Sequence, residues 1–473
     1  MKDTKEETKK PELMTQLMAL LSKHEQAYNQ QRVFHRAIAL VMAEIFSFGR
    51  HTITQLLLTL GLTDEDWTAW YRLFSHERFQ EEACAEVMVK EMLGQTNIEE
   101  PFVVGGDGFH VPRSSQEMAG TGWMKGLNTA TFRPGLQRGQ RYVEVSWLPT
   151  VHNGYSRAFP YRCLPAFTPK SIPAKGIAPK KEVTAVLEIL AWTRAIMVKI
   201  GRGTQQIVNL GDGNYDSQEY WSHLPENTIG IVRTARNRAL YYLPKEGSHG
   251  NRKYGIKARA PHKWLRKRKL LKKQKVMIRG QERNMRYRVC GPFLRTLVPN
   301  TPLFLLVIGG AKRPKGSRRQ NYKPCFFLVS AVANNKGQWV LPFPIKQILT
   351  WLWQRWELEI AHRQMKSALG LGEKQCWQPQ ATVATVQWVV WVYSLLLLTG
   401  HLVWGHGAGP DPPGAWRKAP APWSFNTLWS AFRAELWGHP NFRRTWTRSA
   451  DNWTTFEPYL SNLFNAALAS TRL

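Results

Sequence analysis

Residues 102–111 read FVVGGDGFHV and residues 207–216 read IVNLGDGNYD. Each is a short β-type run that ends on a glycine-flanked aspartate, Asp107 in the first and Asp212 in the second. Between them lie two further strand-like runs, RYVEVSWLPTV (141–151) and YRCLPAF (161–167), and a helical stretch, KEVTAVLEILAWTRAIMV (181–198). Strands alternating with helices predict an α/β, mixed α+β layered domain. Carboxylates at strand ends, beside glycines that let a ligand approach the backbone, suit hard, oxygen-seeking cations such as Mg²⁺. A strand-end aspartate also often only caps a turn, so neither residue defines a site alone. Asp216, four residues after Asp212, is a further carboxylate in the second run.

Upstream of this block, Pro11–Leu93 carries helical periodicity. Leu13, Leu17, Leu20 and Leu21 form one apolar stripe; Phe34, Ile38, Val41, Ile45 and Phe46 form another. Residues 51–75, HTITQLLLTLGLTDEDWTAWYRLFS, read as two short helices broken at Gly61, with Thr63 and Asp66 as an approximate capping box. Helix–glycine turn–helix is how helix-turn-helix DNA readers are built, and also how many small bundles are built.

Downstream the pattern fails between about Ala239 and Val289. Residues 252–288 hold 16 Lys or Arg and one acid, Glu282. Their densest part is KWLRKRKLLKKQK (263–275), which includes Lys267, Arg268, Lys272 and Lys273. Such runs are often solvated tails. This one lies inside the chain, is interleaved with Tyr254, Trp264 and Tyr287, and is followed by the β-like runs LFLLVIGG and CFFLVSAVA. It reads as a basic insertion, too polar for core, that tracks a phosphate backbone. The whole chain agrees: 65 Lys and Arg against 34 Asp and Glu give a net charge of +31 over 473 residues, so a polyanionic partner is expected. The 43% hydrophobic content excludes a wholly disordered or collagen-like chain.

Five scattered cysteines (Cys84, Cys163, Cys290, Cys325, Cys376) show no zinc spacing and predict reduced thiols. The charged N-terminus, MKDTKEETKKPE, predicts no secretory signal. Residues 375–410 lack Asp, Glu, Lys and Arg, but the strongly apolar run, WVVWVYSLLLL (388–398), is short for a membrane span. A buried core helix is the expectation, and no membrane association.

The most informative stretch is 344–372, PIKQILTWLWQRWELEIAHRQMKSALGLG. Pro344 suits a helix start, and Gly370 followed by Leu371 suits a Schellman stop. At about 100° per residue, Glu359, Lys366 and His362 all fall within about 40° of Arg355. An i,i+4 salt bridge on a solvated face would explain the stripe, but Trp353, Trp356, Leu358 and Ile360 surround it. A mostly buried helix with one charged stripe is better placed to line a site.

The spacing R-x₃-E-x₆-K, realised as Arg355, Glu359 and Lys366, resembles the Y-x₂-R-x₃-E-x₆-K signature of DDE transposases of the insertion-sequence-4 group of bacterial mobile elements. RWELEIAHRQMKSALGLGEKQ (355–375) is similar throughout to that family's late helix, and Asp107 and Asp212 match its first two carboxylates in order. Leu352 stands where the signature has tyrosine. The resemblance implies an RNase H-like catalytic core with a basic β-rich insertion, preceded by an N-terminal helical DNA-binding domain. The expected divisions are 1–95 helical, 96–238 first part of the core, 239–300 insertion, 301–404 second part of the core, and 405–473 C-terminal region. It further implies a catalytic and metal-binding triad of Asp107, Asp212 and Glu359 with two Mg²⁺ ions, for which Mn²⁺ can substitute. Arg355 and Lys366 would hold DNA phosphates. Cut-and-paste transposition of double-stranded DNA, within a synaptic homodimer in a bacterial cytoplasm and associated with the nucleoid, is what the family implies. A nuclease on the same core without strand transfer, and a non-enzymatic basic nucleic-acid-binding protein, are the competing readings.

Overall fold

A computed structural model describes residues 12–62, 64–126, 135–150, 152–244, 253–266, 268–310, 323–407, 409 and 422–438. The first helices are α1 (Glu12–Lys23), α2 (Gln31–Phe46), α3 (Ile53–Thr59), α4 (Thr68–Ser75) and α5 (Glu81–Gly94). Leu13, Leu17, Leu20 and Leu21 are all buried on α1, and α2 buries Phe34, Val41, Ile45 and Phe46. The turn after α3 contains Gly61 at φ 77°, a conformation that favours glycine. Thr63, expected as a cap, lies outside the described residues. Asp66 does part of that work, its Oδ1 accepting from the Thr68 amide at 2.8 Å.

The sheet begins with β1 (Phe102–Pro112), β2 (Gly122–Lys125), β3 (Leu136–Trp147) and β4 (Phe159–Pro165). Helix α6 (Glu182–Lys199) then returns the chain to β5 (Ile207–Gly211), and α7 (Gln218–Ser222) leads to β6 (Thr228–Arg233). β1 pairs antiparallel with β3, and β3 with β4. β1 pairs parallel with β5, and β5 with β6. Every residue of β5 is buried, as expected of a strand covered on both faces.

The basic segment joins this same sheet. After β7 (Leu240–Tyr241) come β8 (Lys272–Ile278), β9 (Gln281–Arg295), β10 (Val298–Ile308) and β11 (Cys325–Ser330). They form antiparallel hairpins, β8 on β9 and β9 on β10, and β11 closes onto β6. Among the described residues the result is one 11-stranded mixed sheet. The expectation that 252–288 holds no core residue is corrected at Val276 and Ile278. Both are buried, because alternation along β8 turns them inward while Lys273 and Lys275 face out.

The stretch expected as one long helix is two: α8 (Ile345–Gln354) and α9 (Trp356–Ala368). At the junction the backbone bond tightens to three residues, Leu358 N–H to the Arg355 carbonyl at 3.1 Å, and the Gln354 side chain leaves to donate to the Pro149 carbonyl. Gly370 adopts φ 58° and the Leu371 amide reaches back to the Met365 carbonyl, ending α9 where the glycine predicts. Helix α10 (Pro379–Trp404) has the length and apolarity of a membrane span, but 89% of its apolar window is buried inside the protein. It packs on β4, α1, α4 and α5. A last helix, α11 (Phe425–Gly438), falls in the C-terminal region that sequence patterning leaves unassigned. Its Glu435 carboxylate accepts from the Leu13 and Met14 amides at the start of α1, joining the two ends of the described fold.

Candidate active site

Register fixes the first two carboxylates. The last residues paired between β1 and β5 are Gly106 and Gly211, so Asp107 and Asp212 follow side by side on adjacent parallel strands. Successive side chains of β1 point to opposite faces. A Cβ on Gly105 would meet Leu358 of α9 at 2.7 Å, whereas a Cβ on Gly106 would meet Val186 of α6 at 3.1 Å. Helices thus close on both sides of the strand, and Asp107 shares the α9 face with Gly105.

Arg355 lies between the acids. Its Nη1 is 3.5 Å from Asp107 Oδ2, and its Nη2 donates to Glu359 Oε1 at 3.0 Å. The i,i+4 pair of a solvated face is therefore present, and α9 is not the mostly buried helix expected: only Leu358, Ala361 and Met365 are buried on it, and Trp356 is 52% exposed. The same guanidinium nevertheless reaches Asp107 in the sheet, which a solvated face would not require. Burial pushes the Asp107 carboxyl up to about 6 against the opposing pull of His362 and Arg355, and the charges of Asp212 and Glu144 add to the rise. His362, within electrostatic reach of Asp107, meets a further acid. His362 Nε2 stands 3.0 Å from Glu144 Oε1. Burial disfavours the charged imidazole, but Glu144 and Asp107 outweigh it, and the His362 pKa is raised. Burial lowers the pKa of the Lys366 ammonium. Its neighbour His110 is pushed down to about 4 by burial, with the charges of Arg141 and Lys366 adding to this.

Sequence reading misses three groups here. Glu144 on β3 is fully buried directly across the ladder from Asp107, and Ser146 Oγ donates to it. Its signal was a lone acid inside the apolar run RYVEVSWL. Glu182, in the first turn of α6, has its carboxyl pushed up by burial, opposed by Arg141 at 3.2 Å and assisted by Asp212. Tyr215 is buried and its hydroxyl has no hydrogen-bond partner among the described residues. Burial raises its pKa well above the usual phenol value, and the charges of Asp107, Glu182 and Asp212 add to this.

The carboxylates are hard oxygen donors, the type Mg²⁺ takes, but several are met by a basic group: Asp107 and Glu359 by Arg355, Glu182 by Arg141, and Glu144 by His362. Among the described residues no group of three or more His, Cys, Asp or Glu side chains is already drawn together as a metal cage. The cation between Asp107 and Glu359 is Arg355. Asp216 is separate from this site: it is buried, and its carboxylate is held by Arg238 Nε at 2.6 Å and Arg295 Nε at 2.8 Å.

Of the basic residues, Lys272 and Lys273 are exposed at the start of β8, while Lys267 and the side chain of Arg268 lie outside the described residues. Trp264 is half-buried, tilted against Phe293, with the Arg288 guanidinium 4.8 Å over its ring. It is a packed ring more than a free stacking surface. The expected helical DNA-binding region, 1–95, holds 14 acids and 11 Lys or Arg, so the strong positive charge of the chain lies elsewhere.

No family model matches the chain, and no curated protein matches it. Among solved structures, the piggyBac transposase synaptic complex with hairpin DNA aligns over 96% of this chain and 82% of that chain, with 10% identity and a TM-score of 0.39.

The raised Asp107 pKa gives a pH prediction for metal-free protein. A carboxyl that titrates near 6 when folded and near 3.8 when unfolded contributes stability that is complete below about pH 4. That contribution is lost as pH rises through about 6. Wild type should therefore lose on the order of 1–3 kcal/mol relative to Asp107→Asn between pH 4 and 7. Parallel thermal-melt profiles of the two proteins would contradict this.

Proposed function

We propose that the chain is a DNA transposase of the DDE type, whose RNase H-like core cleaves DNA at element ends and transfers the strand to target DNA. The observation that carries the reading is the Gly106–Gly211 register, which sets Asp107 beside Asp212 under the helix that carries Glu359. The strand arrangement supports it as well: three antiparallel strands, β4, β3 and β1, continue into two parallel ones, β5 and β6. The basic hairpins that extend this sheet supply the charge a DNA substrate requires.

Asp107, Asp212 and Glu359 would hold two Mg²⁺ ions, or Mn²⁺ in their place. When bound, such a pair activates the attacking oxygen and stabilises the leaving one in an in-line displacement at phosphorus. The protein's own groups do the rest. Arg355, released from Asp107 and Glu359 as their charge is neutralised, is free to clamp a phosphate with a bidentate fork. Lys366 serves as a point charge on the same helix. Glu144 and His362 fix β3, the antiparallel neighbour of the Asp107 strand, against α9. Water would attack first and release a 3′-hydroxyl, which would then attack a second strand. A synaptic homodimer working on chromosomal DNA in the bacterial cytoplasm completes the proposal.

The test is single-turnover cleavage of supercoiled plasmid in Mg²⁺, with products mapped for joined strands. Joined products support strand transfer. Nicks ending in 3′-hydroxyl with no joining would leave a nuclease on the same core, and no nicking would refute both. In the same assay Lys366→Ala should slow the reaction on the order of ten- to a hundredfold through loss of phosphate positioning. Arg355→Lys should be impaired too, because an ammonium cannot reproduce the fork. If both variants cleave normally, the stripe is only a salt-bridged face.

A further inference from the structure

Beyond Asp107 the site strands continue as a projecting arm. β1 pairs with β3 as far as Pro112 and Gly139, and β2 pairs along the opposite edge of β3 from Gly122–Gly139 to Lys125–Leu136. The register puts Trp123 opposite Arg138 and Lys125 opposite Leu136, so these four share one face. On it Trp123 is 66% exposed and Leu136 68%, the most exposed aromatic and leucine pair on any strand described. The opposite flank of β2 is tied to the 168–177 loop, with the Gly120 amide bonded to the Ile172 carbonyl and the Ile172 amide to the Thr121 carbonyl. That loop carries the exposed Lys170 and Lys175 beside the arm.

Charge identifies what this surface fits. Residues 113–181 hold 11 Lys or Arg and two acids, Glu117 and Glu144, and the latter is buried against His362. Four of those cations are answered by acids outside the window, Arg141 by Glu182, Arg162 by Glu81 and Glu82, Lys180 by Glu188 and Lys181 by Glu219, whereas Lys125, Lys170 and Lys175 have no acid partner among the described residues. A face with that excess of cations would meet itself unfavourably across a two-fold contact between copies. An exposed apolar pair flanked by these cations is the composition of elements that enter a DNA groove. We propose that this arm, in addition to the 252–288 segment, grips duplex DNA on the side of the site beyond the end of β1. Lys125, Lys170 and Lys175 neutralise phosphates, and Trp123 with Leu136 lies in the groove. Leu136 is eight residues from Glu144 along β3, about 26 Å at ~3.3 Å per residue. That corresponds to roughly 8 base pairs from the carboxylates at about 3.4 Å each. The choice of DNA rests on the function proposed above, but the test does not use cleavage.

The measurement is equilibrium binding of the full chain to a linear duplex of arbitrary sequence, in EDTA, across a salt series. Lys125→Gln, Lys170→Gln and Lys175→Gln combined should lower the slope of log K against log salt by up to about 2.7, at ~0.9 per phosphate contact. The same change at Lys23, Lys199 and Lys336, on other faces, should leave the slope nearly unaltered. Trp123→Ala should keep the slope and weaken binding about tenfold at fixed salt. Thermal midpoints should stay at the wild-type value, since these side chains are exposed. Wild-type slope and affinity in both arm variants would overturn the proposal. So would an unchanged slope with loss of a dimer on sedimentation, which would assign the arm to a second copy. If wild type binds steeply but never nicks in Mg²⁺, the transposase reading fails and the arm stands. If it nicks while the arm variants bind normally, the arm alone fails.

Discussion

Asp107→Asn is expected to abolish Mg²⁺-dependent strand cleavage, by on the order of a thousandfold or more, while DNA binding stays within a fewfold of wild type. The residue is central to the acid cluster: it shares a register with Asp212, lies across from Glu144 and meets Arg355. Asparagine keeps the volume and one acceptor oxygen but removes the charge a divalent ion needs. Metal ligands act on the transition state, whereas lysines and arginines supply most of the affinity, so rate and binding should separate. Asp212→Asn and Glu359→Gln should behave alike. A variant that nicks at the wild-type rate in a single-turnover assay would remove that residue from the site.

Four residues from Asp212, the opposite outcome is expected. Asp216→Asn should cost about 3–5 kcal/mol of stability, because it strips the charge from a buried carboxylate that holds two guanidiniums. Arg295 donates to Asp216 Oδ1, Arg238 to Oδ2, and Thr234 and Trp221 complete its shell. Arg295 in particular would be left buried with its partner neutralised. Asp212→Asn, by contrast, should leave the denaturation midpoint within about 1 kcal/mol of wild type. Chemical denaturation of the two variants side by side distinguishes a structural aspartate from a site aspartate. Equal losses would erase the distinction.

The contrast marks where sequence reading reached and where it stopped. The glycine-flanked aspartates are visible because close backbone approach leaves a local mark, but only Asp212 follows the end of its strand; Asp107, expected at a strand end, lies in the middle of β1, whose pairing with β3 carries the strand on to Pro112. The apolar run of α10 was likewise visible locally as a core helix. What joins Asp107 to Glu144 is an antiparallel register between strands over thirty residues apart, and no local pattern encodes it. The separate fates of Asp212 and Asp216 were equally hidden, since only tertiary packing brings Arg238 and Arg295 to one of them. Periodicity placed Arg355, Glu359, His362 and Lys366 on one stripe. In the folded chain that stripe divides, because the acids of β1 and β3 draw Arg355 and His362 toward different partners. The tight turn at Arg355 carries no glycine or proline signal, whereas α11 is bracketed by Pro422 and Gly438 with Ser424 capping its start, signals lost in a tail rich in Gly, Pro and Trp.

Most directly, the central claim can be tested by counting bound Mn²⁺ per chain at pH 7.5 with a saturating DNA duplex, by calorimetric titration of metal-free wild type and Asp107→Asn. Two ions per wild-type chain and at most one weakly held ion in the variant are the predicted result. The same stoichiometry and affinity in both proteins would contradict a metal centre built on Asp107, Asp212 and Glu359.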